Sequence, residues 1–535
     1  MQKNREQDFV KGAAILAIAG LISKILGAIY KIPLTNMIGT EGIGYYQPAY
    51  NIYNLLLAIS LAGFPTAIAR LISEKRAKGN YLGAKQVYKV ALWTMFLIGL
   101  ISSTLVFIFA MPIVSFMNFP GSYYSLLALV PALLVVPVLA TYRGFYQGVG
   151  NMVPMGITQV IEQVVRVVVG LFLAISLVDK SIQKAAAGAT FGASIGALVA
   201  LISIIIIFSI RKKLTAEEIR LSSNNSLEAN KVVFRKLLRI AIPITIGASI
   251  SPIMGNLDTY FVGTRLADLG YTAKEISSMY GELSGMAYSI INFPQVFSTA
   301  IAVSLVPFLS ESFALRNFKK LNITANMGLK LSLVIALPCG TGLFLLATPI
   351  LALLFPSVGS AVHQSAGELL QILSISVVFL ILFQAFTAMF QSVHKELIPV
   401  KNLIIALVIK SVLSYVLIGM ASVNIKGAAY STLIAYIIAT IINYKDLVRY
   451  TPIKFKNIRK TVLLPLITTA IMAVAVIIVF KVSALIISSK TIVTLLSVLV
   501  GVVVYAVCLF ATGTITESDL KLIPMGNKLR RFVKK

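Results

Sequence analysis

Lys24 and Lys31 stand seven residues apart in an apolar stretch near the N-terminus. Seven residues is close to two helical turns, so both ammonium groups share one face. Two cations on one stripe suit an anionic ligand such as a pyrophosphate. The plain alternative for Lys31 is snorkelling to the headgroups at a helix end. Glu162 and Arg166 are four apart in a later apolar stretch, the spacing of a helical ion pair. They are either a structural pair inside a bundle, or a cavity cation tempered by a carboxylate. Tyr50 and Asn54 share a face of a segment rich in Tyr, Asn and Gln; Asn and Gln suit sugar hydroxyls better than lipid. These four types define a substrate set of Lys24, Lys31, Tyr50, Asn54 and Arg166.

A second set would couple an ion or form a gate: Glu162, Asp258, Arg70, Glu74 and Glu311. Asp258 either takes a cation or proton, caps a helix, or pairs with Arg265. Arg70 and Glu74 end one apolar segment at i and i+4, and Glu311 stands at the equivalent place of a later one. Lys410 lies deep in another apolar run and is expected to face a bundle interior. Ionisable groups inside such runs are costly in hydrocarbon, which is why each is a candidate.

The elements that position them follow from composition. Of 535 residues, 58% are hydrophobic and 12% are charged, about half the charge of a soluble domain. Apolar stretches of roughly 20 residues, the length of a bilayer-spanning helix, recur along the whole chain. They predict an all-α membrane protein with about 14 transmembrane helices, the first two at 12–34 and 46–70. Continuous stretches exclude a membrane barrel, whose strands alternate.

Charge gives orientation. Of 47 Lys and Arg, alternate segments beginning with the N-terminus hold 35, the opposite segments 7, and helices 5. That asymmetry predicts both termini in the cytoplasm. The net charge of +28 is thus topological, in contact with membrane lipids; no nucleic acid is expected, because the charges sit in separate short loops. Cys339, Cys508, His363 and His394 form no metal or disulfide pattern. No phosphate-binding loop of an ATPase appears, and no cofactor is expected. The N-terminus reads as the first span, not a cleaved signal.

The hydrophilic segment 213–235 divides a six-helix lobe, 1–212, from a second, 236–450. Residues 451–535 add helices 13 and 14 and a basic tail. The lobes share short matches in the same order: Phe9-Val10-Lys11 with Phe234-Arg235-Lys236, Thr66-Ala67-Ile68-Ala69 with Thr299-Ala300-Ile301-Ala302, and Ser73-Glu74…Asn80-Tyr81 with Ser310-Glu311…Asn317-Phe318. Six is even, so the two lobes are parallel repeats that can enclose a cavity and rock.

Lys11-Gly12, Ala19-Gly20, Ser23-Lys24-Ile25-Leu26-Gly27, Tyr30-Lys31-Ile32-Pro33 and Gly39-Thr40-Glu41-Gly42-Ile43-Gly44 resemble the start of the polysaccharide-exporter branch of the MOP superfamily. The likeness is nearest to its SpoVB/YtgP group, related to the lipid II flippases. Tyr46-Gln47, Ala49-Tyr50, Tyr53, Ile59-Ser60, Gly63, Pro65 and Asn256-Leu257-Asp258 add to it. The resemblance implies two MATE/MOP-like lobes and alternating access. It places Lys24 where the lipid II flippases carry a basic residue; their second stands near Tyr30, one place before Lys31.

The resemblance leads us to expect a flippase, and no enzyme, moving an undecaprenyl-pyrophosphate-linked sugar, lipid II for peptidoglycan, across the cytoplasmic membrane. Cell-wall synthesis proteins are expected as partners, in growth or sporulation. H+, Na+ or the membrane potential would drive it. The rivals are a multidrug or cation antiporter on the same fold, which would carry more intramembrane carboxylate than cation, and a membrane glycosyltransferase, which would need a sizeable outer loop with carboxylates.

Overall fold

The computed structural model describes residues 2–210, 222, 226–455 and 458–515. Every regular element among them is helical. Thirteen helices among the described residues are long and apolar enough to cross a bilayer. The expected number was about fourteen. The difference lies in the first element, α1 (Gln2–Ala58), which runs through both of the first two predicted spans. A loop expected near 35–45 is instead helix, broken at one residue. Gly39 takes φ +66°, a left-handed conformation that costs an L side chain free energy and glycine almost nothing.

The chain continues through a π-helical turn, Ile59–Gly63, into α2 (Phe64–Ala77). Pro65 explains the widened turn: it has no N–H, and its ring crowds the carbonyl four residues back. The remaining helices of the first unit, residues 1–281, are α3 (Tyr81–Phe116), α4 (Tyr123–Val149), α5 (Val153–Val178), α6 (Ile182–Ile210), α7 (Asn230–Asp268) and α8 (Ala273–Gly281). Most of the predicted linker, 211–221 and 223–225, lies outside the described residues. Its end is fastened: Asn80 Nδ2 donates to the Ser226 carbonyl at 2.7 Å, and Glu228 takes Lys75 and Lys236 at 2.6 and 2.7 Å.

The core of this unit packs Phe64, Ile68 and Ile72 of α2 on Val87 and Met95 of α3 and on Leu237 of α7. A second cluster joins Tyr30, Leu34 and Tyr46 of α1 to Ala174 of α5 and Ala186 of α6. The outside is apolar instead of charged: Phe107, Phe172 and Ile202 are exposed. In water such a surface would aggregate; in lipid it is the solvated face.

The second unit, residues 282–535, opens with a π-helical stretch, Glu282–Ala287. It continues as α9 (Tyr288–Ala314), α10 (Phe318–Leu345), α11 (Ala347–Leu354), α12 (Ser360–Ser392), α13 (Leu397–Ile418), α14 (Lys426–Tyr450), α15 (Ile458–Ile486) and α16 (Lys490–Ala511). It reuses the devices of the first. Asn80 caps α3 by accepting from the Gly83 amide at 2.6 Å, and Asn317 caps α10 by accepting from the Lys320 amide at 3.0 Å. The pairs Ile68 and Leu305, and Ile72 and Leu309, keep the same offset as those caps, and all four are buried. The last two helices pack on this unit through Met472, Val476 and Tyr505, whose hydroxyl donates to the Val334 carbonyl at 2.7 Å.

Candidate functional site

The helical half of α1 beyond Gly39 carries two polar stripes, because neighbouring positions on a helix point about 100° apart. One stripe is Tyr46 and Tyr50, stacked at 5.5 Å and 16°. The other is Gln47 and Asn51, joined by a 2.8 Å hydrogen bond.

The tyrosine stripe holds Arg166 of α5. Its Nη1 donates to the Tyr50 hydroxyl at 2.7 Å and its Nη2 to the Tyr46 hydroxyl at 2.8 Å. Its Cζ lies 4.5 Å from the Tyr50 ring centre and 5.8 Å from that of Tyr30. Tyr30 is itself fixed by donating to the Ala189 carbonyl of α6 at 2.9 Å. Among the described residues no carboxylate lies within ion-pair distance of this guanidinium. A cation held by hydroxyls and ring faces keeps its charge available to an anion, since neither kind of partner neutralises it.

The amide stripe runs the other way. Lys31 Nζ donates to Gln47 Oε1 at 2.8 Å, and Gln47 passes the chain to Asn51. Asn51 Nδ2 donates to Thr259 Oγ1 and to the Tyr280 hydroxyl, both at 2.9 Å. Asn256 of α7 returns a bond to the Asn51 carbonyl at 2.8 Å. A cavity of about 590 Å³ opens beside this chain, lined by Asn51, Asn54, Leu57, Ser251, Pro252 and Gly255. The π turn after Ala58 brings Leu61 and Ala62 to the same wall. Such turns recur at functional sites because they re-aim side chains without ending the helix.

The predicted site residues are thus distributed. Tyr50 and Arg166 meet directly. Asn54 lines the cavity, and Lys31 reaches its wall through Gln47 and Asn51. The side chain of Lys24 lies outside the described residues. Glu162 does not pair with Arg166 as the spacing suggested. Its carboxylate takes Arg143 Nη2 of α4 at 2.8 Å, with the two side chains only 10% and 18% exposed. A local i, i+4 pair is worth a few tenths of a kcal/mol, so two better tertiary arrangements displace it. Asp258 is buried in α7. Arg265 makes an ion pair with Asp268 at 2.5 Å.

The gate candidates are exposed. Glu74 pairs with Lys78 at 3.0 Å and not with Arg70; this ammonium holds the carboxyl below its usual range. Glu311 pairs with Lys320 at 2.9 Å. Lys410 is buried inside the second unit, as expected of a residue that faces a bundle interior. Sequence reading missed three participants. Thr259 did not stand out within its apolar stretch, Tyr280 stands in the connection between two apolar stretches, and Arg143, at the end of its apolar stretch, read as a topological charge.

The crossing of α1 on α8 is close. Thr40 Oγ1 and Ser278 Oγ are 2.8 Å apart, and Lys274 reaches Glu41 at 3.4 Å. A Cβ on Gly44 would lie 1.9 Å from the Ser277 carbonyl oxygen, so only glycine permits this approach.

The sequence pattern of the polysaccharide biosynthesis protein family matches residues 9–313, more than half of the chain. The chain belongs to that family. A MatE pattern matches residues 280–416 of this family member. Among its relatives is the lipid II flippase MurJ of Bacillus subtilis (strain 168), 28% identical and aligned over 98% of each chain. Stage V sporulation protein B of the same organism is 26% identical over 84% of this chain and 86% of its own. Among solved structures, an inward closed lipid II flippase MurJ superposes with a TM-score of 0.71 at 18% identity, over 92% of this chain and 98% of that one. An inward-facing MATE multidrug transporter of the MOP superfamily gives 0.65 at 14% identity, over 79% and 93%. This family member is therefore a multi-pass helical membrane protein with the MOP fold, as its first 80 residues led us to expect.

Proposed function

We propose that this chain is a flippase that moves an undecaprenyl-pyrophosphate-linked glycan precursor, lipid II, across the cytoplasmic membrane by alternating access. The observation that carries the reading is the Arg166 guanidinium, held in the first unit by the hydroxyls of Tyr46 and Tyr50 and by the rings of Tyr50 and Tyr30, with no carboxylate within ion-pair distance among the described residues. A guanidinium matches phosphate oxygens two at a time. Lys31 would supply a second positive charge, and Asn51 and Asn54 would take sugar hydroxyls at the cavity wall. The full-length similarity to a lipid II flippase supports the substrate class, and the MATE-like fold supports alternating access.

The headgroup would enter from the cytoplasmic leaflet and the lipid tail would stay in the bilayer. Asp258 and Glu162 are the carboxylates assigned to ion coupling. The membrane potential can also bias the cycle, since moving one charge through 100 mV is worth about 2.3 kcal/mol.

The test is a leaflet-accessibility assay for labelled lipid II in proteoliposomes holding the full chain. Native protein exposes the headgroup to the outer enzyme or probe, and Arg166→Ala loses that exposure at equal protein density. Native protein that leaves lipid II protected while it exports a cationic dye would replace this reading with drug antiport.

A further inference from the structure

A second groove of about 850 Å³ lies in the first unit, away from the arginine site, between α3 and the start of α7. Its α3 wall is the stripe Gln86, Lys89, Trp93, Leu97 and Ile101, and α7 contributes Lys231 and Phe234. The polarity is graded. Gln86, Lys89, Asn230 and Lys231 gather at one end; beyond them the wall is apolar save for Thr94, whose hydroxyl is used by the Val90 carbonyl at 2.8 Å.

At the polar end, Gln86 Nε2 donates to Asn230 Oδ1 at 2.8 Å, which fixes the two helices together. Lys89 and Lys231 are exposed, and among the described residues neither has an ion-pair partner. Among the described residues no carboxylate lines the groove, and Glu228 beside it is already shared by Lys75 and Lys236. Trp93 is 67% exposed on the wall between the two regions. That is the usual depth preference of an indole in a bilayer.

From Gln86 to Ile101 the stripe is about 22 Å long at 1.5 Å per residue. That spans a headgroup zone and one leaflet of a hydrocarbon core roughly 30 Å thick. We propose that this groove binds one anionic phospholipid, its phosphate between Lys89 and Lys231 and an acyl chain along Trp93, Leu97 and Ile101. Basic pockets between spanning helices recognise lipid phosphates by this combination of charge and apolar wall. The site is independent of the transport reading, because none of its residues touches the arginine site.

Trp93 is the chain's single tryptophan, so its fluorescence reports this groove alone. The full-length protein is placed in phosphatidylcholine bilayers with increasing fractions of dibrominated phosphatidylglycerol or dibrominated phosphatidylcholine. The anionic lipid is expected to quench with an apparent affinity at least roughly threefold higher. The double variant Lys89→Gln with Lys231→Gln is expected to lose that preference while keeping native quenching by brominated phosphatidylcholine, which verifies its fold. Equal quenching by both headgroups in the native protein overturns the proposal. So does an unchanged preference in the double variant. Relief of phosphatidylglycerol quenching by a few mole per cent of undecaprenyl phosphate would also overturn it, by giving the groove to a polyprenyl chain.

Discussion

Arg166 meets Tyr50 in two ways: its Nη1 bonds the hydroxyl at 2.7 Å, and its Cζ stands 4.5 Å from the ring centre. The ring and the hydroxyl together fix the guanidinium plane. Arg166→Lys keeps the charge but loses the fork, so it should retain fold and lose most transport. Tyr50→Phe removes one charged hydrogen bond, worth about 1.5–3 kcal/mol, and should lower lipid II exposure by roughly tenfold. The proteoliposome accessibility assay reads both. Native rates in Arg166→Lys would remove the arginine from the substrate path.

The Arg143–Glu162 pair joins α4 to α5 in a poorly hydrated place. Removing one partner strands the other charge, at a cost approaching 3 kcal/mol. Glu162→Leu should therefore lower the melting temperature in detergent, and Arg143→Met added to it should restore most of the loss. A double variant as unstable as the single one would mean that the pair is not what Glu162 stabilises.

Thr40 and Ser278 place their hydroxyls 2.8 Å apart. Cysteines at both positions, with Cys339 and Cys508 replaced by serine, should crosslink on mild oxidation. Gly44→Val should abolish that crosslink by pushing α8 away from α1. If the crossing opens during the cycle, the oxidised protein should also stop exposing lipid II and recover on reduction. Unimpaired activity in the fully crosslinked protein would mean that this crossing stays shut throughout.

Glu228 ties the linker end to α2 and α7 through Lys75 and Lys236. Hydrogen bonds from these two ammonium groups, Lys236 foremost, hold its carboxyl below the usual glutamate range. A lowered folded-state pKa stabilises the fold above the unfolded value. The contribution fades as pH falls through the folded one. Native protein should lose about 0.5–1 kcal/mol on acidification relative to Glu228→Gln, seen as melting temperatures converging below the ordinary glutamate pKa. Parallel curves for the two proteins would count against this latch.

Asn80→Ala and Asn317→Ala each remove a helix cap at matching places in the two units. Each should cost about 1 kcal/mol, measured by melting temperature. A large loss at one and none at the other would show that the repeated motif has kept its sequence and not its role.

The sequence by itself determined that the chain is a bundle of membrane helices, because long apolar runs have one stable form in hydrocarbon. It also showed the repeated match that ends in Asn80 and Asn317; the structure makes both residues helix caps, a local device in which the side chain reaches an amide three residues on. It marked Arg166, Tyr50, Lys31 and Asn54 as candidates, since polar groups stand out against so apolar a background. Only the tertiary structure decided their partners. Glu162 was legible as half of an ion pair, but Arg143 is nineteen positions away on another helix. Asn51 was legible as polar, but Thr259 and Tyr280, more than two hundred positions on, complete its bonds. Spacing along one helix fixes which residues share a face. Which neighbouring helix that face meets depends on packing between segments far apart in the chain, and no local pattern encodes it.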